Sequence, residues 1–355
     1  MLQSDLKDTV NSVWNSAVTS FSSKQDNRLI LHGDRIVVPG TFCYAVKVLP
    51  EPLAFEEIVE VPANKFIQLL GAAPAGELSI QIDGGKLTLR SGRFRGVIPI
   101  KVLTSLPEPP EVSEQHATRI GVDDMLWGML NNAAEFADNA GSNQFELTCL
   151  SIGPQGLFAC NRISLIHYNN FNQDFNKTFL IPKNVMMCAG KMGGTPSQIT
   201  AYDRYIGIDW ENGFVLCPST DVDYPVEHIF DILQKARGGG SVWECERGDI
   251  EDAVNRVALL SDRVSLYFME RRLVVKSLGD IQTSDIVMGK TTGGLEGRLD
   301  LIMPISEIKL LLSVCSSNTI KWVFDGGKLE EGKNGVLLWS GEGGFECCSM
   351  MTVQQ

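Results

Sequence analysis

The residues of this 355-residue chain that could do chemistry are few, and each set fails on spacing. Gly289, Lys290 and Thr291 look like the end of a phosphate-binding loop, in which backbone N–H groups cradle phosphates and a lysine reaches them. The glycine such a loop needs five positions earlier is Ser284, and no long helix pattern follows. The adjacent carboxylates Asp123 with Asp124, and Glu56 with Glu57, diverge on a helix or strand instead of converging on a substrate. His32, His116, His167 and His228 have no ligand spacing and no CxxC occurs, so neither a metal site nor a cofactor is expected. They are also too few to single out a serine, histidine and acid set. The nine cysteines, odd in number and spread through apolar surroundings, read as reduced core thiols. Cys347 and Cys348 are neighbours in a strand pattern, where side chains point to opposite faces. A non-catalytic protein is the expectation.

What must then be explained is the architecture. A chain with 44% hydrophobic residues and mean hydropathy near zero is globular. Single cores stop growing at roughly 250 to 300 residues, so two or three domains are expected. No apolar run approaches the roughly 18 residues of a membrane span, and Met1 to Thr9 lack the pattern of a secretory leader. A cytoplasmic protein is expected. With 31 basic against 43 acidic residues the formal net charge is −12, the opposite of a protein that coats nucleic acid by bulk attraction. Any nucleic-acid role needs its cations confined to one surface.

An internal repeat decides the organisation. VPANKFIQLL (61–70), IPKNVMMCAG (181–190) and MPISEIKLLL (303–312) each place a proline before a short amphipathic helix pattern, and Pro62, Pro182 and Pro304 lie 120 and 122 residues apart. Proline suits a helix start, because its missing N–H would be unbonded there. Asp83-Gly84-Gly85-Lys86-Leu87 recurs as Asp325-Gly326-Gly327-Lys328-Leu329, and Asp203 falls in a similar turn 120 residues after Asp83. Two glycines between alternating runs (Leu78, Ile80, Ile82, then Leu87, Leu89) read as a tight hairpin. Upstream of each proline lies a helical face: Leu6, Val10, Val13, Trp14 and Phe21; Val122, Met125, Leu126, Met129 and Ala133; Ile250, Val254, Val257 and Ala258. The acidic, proline-rich Pro107–Glu111 and the glycine run Gly238–Ser241 read as joins. Three α+β domains follow, 1–112, 113–233 and 234–355, each with two helices on one face of antiparallel sheet.

VPANKFIQLL with ELSIQIDGGKLTLRSGR (77–93), FLIPKNVMMCAG with FVLCPSTDVDYP (214–225), and DIEDAVNRVALLSDR (249–263) with VSLYFMERRLVVKS (264–277) resemble, in order, the three domains of the bacterial sliding clamp, the DNA polymerase III beta subunit family. The likeness spans nearly the whole chain. It implies a ring-forming protein of three tandem DNA-clamp domains, closed as a head-to-tail homodimer with its helices lining a central hole for duplex DNA. The implied role is a processivity factor in DNA replication, an accessory subunit of the replicative polymerase placed on DNA by an ATP-dependent clamp loader. The alternative is a repeat-built structural or interaction protein that does not bind DNA.

The resemblance also implies sites. Sliding on nonspecific, salt-screened phosphate contacts would fall to Lys7, Lys24, Arg28, Lys65, Lys183, Lys191, Arg247, Arg256, Arg263 and Lys309. The second long helix is acidic, with Asp123, Asp124 and Glu135, so contact there would rest on Lys183 and Lys191. A pocket for a partner's peptide would be walled by Phe145, Asn161, Ile163, Leu165, Pro304, Leu338, Cys348, Met350 and Met351; the alternative is that these residues finish the third domain's core. The ring seam would bring Arg95, Val97, Ile98 and Ile100 against Leu259, Leu260 and Ser261, with Pro99 limiting the ladder. Where the family has Asp-Gly-His-Arg-Leu this chain reads Asn161-Arg162-Ile163-Ser164-Leu165, and its tail continues as Thr352-Val353-Gln354-Gln355. That divergence would suit a phage clamp serving its own polymerase in the cytoplasm of an infected host.

Overall fold

The structure, a computed structural model, describes residues 1–17, 28–40, 42–139, 142–169, 177–220, 222–293, 299–315, 317–324, 334–340 and 345–354; at 299, 334–337, 340, 345, 348 and 350–354 it describes the backbone alone. Lys24, Phe21 and the second Asp-Gly-Gly-Lys-Leu turn lie outside the described residues, as do the side chains of Cys348, Met350 and Met351.

One order of elements, helix, four strands, helix, three strands, occurs three times. The first pass has α1 (Gln3–Ala17), β1 (Arg28–His32), β2 (Arg35–Pro39), β3 (Tyr44–Val48), β4 (Ile58–Pro62), α2 (Ala63–Ala72), β5 (Ser79–Asp83), β6 (Lys86–Ser91) and β7 (Phe94–Pro99), with β8 (Lys101–Leu103) following. The second is led by β9 (Thr118–Gly121) and has α3 (Asp124–Phe136), β10 (Cys149–Gly153), β11 (Gly156–Cys160), β12 (Ser164–Tyr168), β13 (Phe179–Pro182), α4 (Lys183–Ala189), β14 (Gln198–Ala201), β15 (Tyr205–Trp210) and β16 (Gly213–Pro218). Then come α5 (Val226–Arg237) and β17 (Ser241–Glu246). The third pass is α6 (Arg247–Val257), β18 (Arg263–Met269), β19 (Arg272–Ser277), β20 (Ser284–Thr292), β21 (Leu299–Pro304), α7 (Ile305–Val314), β22 (Thr319–Phe324), β23 (Asn334–Ser340) and β24 (Phe345–Gln354). The fold is mixed α+β with antiparallel sheets.

The local reasons are those of the sequence, with amendments. The prolines sit at the cap position, not inside the helix: Pro62 and Pro304 are the residues before α2 and α7, in extended conformation, and each also ends a strand. Asp83 pairs with Lys86 across a two-residue turn in which Gly84 and Gly85 have φ of +54° and +75°, a conformation that favours glycine at both positions. α1 buries Leu6, Val10 and Val13, and α6 buries Ile250, Val254 and Val257, as the periodicity requires. α3 departs from it: Met125 is exposed, and the buried stripe is Leu126, Met129, Leu130 and Ala133. Asp123 caps the helix, its carboxylate accepting the Leu126 N–H at 2.7 Å, which leaves Val122 outside it.

The chain forms two compact units that interleave along the sequence. One, residues 1–128 and 184–221, contains a nine-stranded sheet ordered β8-β4-β1-β2-β3-β16-β15-β14-β9 and the small sheet β5-β6-β7. Within it, β3 lies against β16, and Cys43 and Cys217 beside that pairing are joined by a disulfide, Cα to Cα 4.5 Å. The expectation of nine reduced thiols is therefore corrected at this pair. It brings together residues 174 apart in sequence, which no local pattern reveals. The other unit, residues 129–183 and 222–355, contains a twelve-stranded sheet ordered β13-β10-β11-β12-β24-β21-β18-β19-β20-β17-β22-β23, and β23 also pairs with β24. Gly289, Lys290 and Thr291 lie within β20, where Gly289 faces Cys245 of β17, so the resemblance to a phosphate loop ends there. Among the described residues no helix is long and apolar enough to cross a membrane, and no cluster of His, Cys, Asp and Glu could hold a metal.

Candidate functional site

In the second unit a cavity of about 290 Å³ opens between α5, the end of β11, the start of β12 and β24. Its walls are mainly apolar: Leu147, Cys160, Ile163 and Leu165 from one side, Pro225, Ile229 and Ile232 from α5 and its cap. Beneath lies a shared core of Leu147, Phe158, Cys160, Leu165, Ile229, Leu233, Ala236 and Leu338. Each large member stabilises by roughly 1.5 to 3 kcal/mol on burial.

Asn161 shapes the mouth. Its side-chain oxygen accepts the backbone N–H of both Ile163 and Ser164 at 2.7 Å, and its own N–H donates to Ser164 O at 2.9 Å. Such a turn is what asparagine supplies between strands. It lifts Ile163 to the rim, 38% exposed, and turns Ser164 inward. The buried Ser164 hydroxyl donates to Glu307 Oε2 at 2.6 Å and lies 3.2 Å from the buried Ser349 hydroxyl. Both serines line the cavity, so its floor has a polar end. Arg162 and His228 stand at the rim with Gln144 and Glu146.

Burial pushes the Cys160 thiol up to about 11, with its sulfur 3.4 Å from the Tyr224 hydroxyl, so it is neutral at physiological pH and packs as an apolar group. Behind the wall, Arg237 in the last turn of α5 pairs with Glu346 of β24, Nε to Oε1 at 2.9 Å, and His167 Nδ1 of β12 lies 3.4 Å from the same carboxylate. His167 Nε2 lies 2.9 Å from the Gln155 carbonyl oxygen, and its ring stacks on Phe158. Burial alone would raise the Glu346 carboxyl, but the hydrogen bonds from His167 and Arg237 outweigh it and hold the group at about 2. This knot fixes α5 to β12 and β24, three elements of the cavity wall. An apolar recess with a small polar floor can receive an apolar side chain.

No family model and no curated protein matches the sequence. Solved structures do match over its full length. A candidate DNA polymerase III beta subunit from Eubacterium rectale is 11% identical with a TM-score of 0.80, over 99% of this chain and 97% of that one. The DNA polymerase sliding clamp from Bacillus subtilis is 13% identical with a TM-score of 0.79, over 99% and 98%. The DNA polymerase III subunit beta from Pseudomonas aeruginosa is 16% identical with a TM-score of 0.75, over 99% and 98%. The chain has the sliding-clamp fold.

Of the residues expected to wall a partner pocket of this clamp fold, Asn161, Ile163 and Leu165 line the cavity, and Leu338 lies in the core beneath it. Phe145 is exposed between two lining residues, Gln144 and Glu146, but is not itself in the wall. Pro304 caps α7 and is not in the wall either, because its place as the last residue of β21 commits it to pairing with Arg263. The sequence reading missed α5 altogether. Its signal was present, with Val226, Ile229, Leu233 and Ala236 on one helical face after Pro225, but it lies at the expected join between domains.

The expected DNA-facing cations of the clamp fold differ in availability. Lys65, Lys191 and Lys309 are exposed on or beside α2, α4 and α7, and Lys7 is half-buried on α1. Arg28 and Arg263 are exposed but open strands β1 and β18, so they belong to no helix face. Lys183 is half-buried: its ammonium donates to the Ala137 carbonyl at 2.8 Å and burial lowers its pKa, so it ties two segments together. Arg256 is held by Asp285, and half-buried Arg247 lies 3.5 Å from Glu251.

At the expected seam, Arg95, Val97 and Ile98 lie on β7, whose pairing among the described residues is to β6 alone, while Ile100 follows the strand. Leu259, Leu260 and Ser261 follow α6, with Leu259 and Leu260 exposed. Sequence reading missed β20: residues 284–288 pair with β19 on one side, and β17 takes up the other side only from Gly289 onward. That half-strand carries exposed Ile286 and Met288.

Proposed function

We propose that this chain is a DNA sliding clamp, a non-catalytic processivity factor that works in the cytoplasm as a head-to-tail ring of two copies. Three repeats per copy, with joins near 112 and 233, would present their helices to enclosed duplex DNA. The observation that carries the reading is the helix, four strands, helix, three strands order found three times in a clamp fold that spans the whole chain. Lys7, Lys65, Lys191 and Lys309 are the helix-borne cations that would meet phosphates, weakly enough to slide. Among the described residues, one side of β7 and one side of the 284–288 half of β20 have no strand beside them, and joining them between copies would leave no open edge at the seam. The cavity beside α5 would take the apolar anchor of a peptide from the replicative polymerase, and loading would need an ATP-dependent loader.

The net charge of −12 favours a second reading, a repeat-built scaffold that never meets DNA. A solution mass and a low-resolution image separate ring from other assemblies: a closed six-lobed particle of twice 39.0 kDa is expected. A monomer, or an open fibre, would remove the self-closing ring.

A further inference from the structure

Opposite the β7 edge, the sheet β5-β6-β7 has a second edge along β5. Asp83 and Lys86 close a two-residue turn and so exchange hydrogen bonds; by alternation Asp83, Gln81 and Ser79 point their backbone groups at β6, and Ile82 and Ile80 point theirs away. Leu78, in the same phase, bears this out, because its N–H leaves the sheet and donates to Met1 O at 3.0 Å. Past that bond, no backbone pairing among the described residues reaches Ile80 or Ile82 on the outer side.

The other two repeats fill the corresponding place. There the first strand after the proline-led helix is β14 or β22, and an antiparallel strand lies along each: β9 on β14 through four residues, β17 on β22 through six. On β5 the matching contact among the described residues is a single bridge, Leu2 with Glu77. Beside the bare edge runs an open cleft of about 1060 Å³ between β5 and residues 53–57. Its floor has Leu53, Phe55 and Ile80, its rim has exposed Glu56, Glu57 and Asp83, and among the described residues no lysine or arginine lines it.

We propose that this edge is a docking site for a strand of a partner protein, extended, antiparallel to β5, and bearing lysine or arginine at alternate positions. Backbone groups of Ile80 and Ile82 would hold it, apolar side chains would enter the floor, and its cations would meet the three carboxylates. The proposal is independent of DNA binding and of ring closure.

The test uses the full chain and a labelled eight-residue peptide of alternating lysine and valine, with a glutamate–valine peptide as control. Fluorescence anisotropy should give saturable binding of the first peptide only, and amide exchange should slow at Ile80 and Ile82. Ile82→Pro, which removes an outward N–H at an edge where proline is tolerated, should weaken binding at least about tenfold, and so should Glu56→Lys with Glu57→Lys. Absence of binding, or binding that leaves those amides unprotected or is unchanged in Ile82→Pro, would overturn the proposal in favour of diffuse attraction to an acidic protein. Protection that grows with protein concentration without peptide would overturn it in favour of a second copy of the chain. If circular dichroism shows Ile82→Pro unfolded, the wild-type exchange pattern and the glutamate variant decide.

Discussion

Replacing Glu346 by glutamine should remove a definable amount of stability, and only above a definable pH. The carboxyl is held at about 2, against an ordinary value of 4.5, by His167 and Arg237 working against burial. Because the folded state depresses the pKa, the unfolded chain takes up the proton first. The stabilisation is therefore complete above 4.5 and disappears as pH falls through 2. The difference between 4.5 and about 2, at 1.36 kcal/mol per pH unit, gives about 3 kcal/mol at pH 7, roughly half as much at pH 3 and little at pH 2, as upper bounds for a group that is partly solvated. Glutamine mimics the protonated acid, so urea unfolding of wild type and Glu346→Gln should differ by about 2 to 3 kcal/mol at pH 7 and by about half that at pH 3. An equal gap at both pH values, or none at pH 7, would refute the idea that the carboxylate's two partners stabilise the link between α5, β12 and β24.

Leu233→Ala, in the core under the cavity, should cost about 2 to 5 kcal/mol in the same assay, because a fully buried leucine leaves a void. Leu260→Asp and Met288→Asp, both at exposed positions, should leave circular dichroism unchanged and turn the particle into monomers by light scattering; an unchanged dimer mass for both would remove the seam assignment. Alkylation of the unfolded protein without reductant should leave Cys43 and Cys217 unlabelled by mass spectrometry, whereas labelling of both would contradict the disulfide. Lys191→Glu with Lys309→Glu should flatten the salt dependence of DNA retention by roughly two phosphate contacts, while Lys183→Ala should act on thermal stability.

What the sequence made legible was periodic and local. Leu6, Val10 and Val13, the Gly84-Gly85 turn and the proline before each short helix could be read because a helix face, a positive φ and a missing N–H are properties of a few consecutive residues. The site was legible only where it is local too. Asn161, Ile163 and Leu165 belong to one strand turn, but Ser349 reaches the cavity through the pairing of β24 with β12, 185 residues away. α5 was overlooked because a proline-led amphipathic segment falls where a join was expected, next to the run of glycines. Cys43 with Cys217, and Lys183 with Ala137, depend on long-range placement for which residue type gives no hint.

Retention on DNA topology tests the account most directly. With a nicked circular duplex, an ATP-dependent loader and labelled protein, gel filtration should carry the protein with the circle, and linearising the DNA should release it. Protein that never co-elutes with the circle, or that stays equally bound after linearisation, would contradict a clamp that holds DNA by enclosing it.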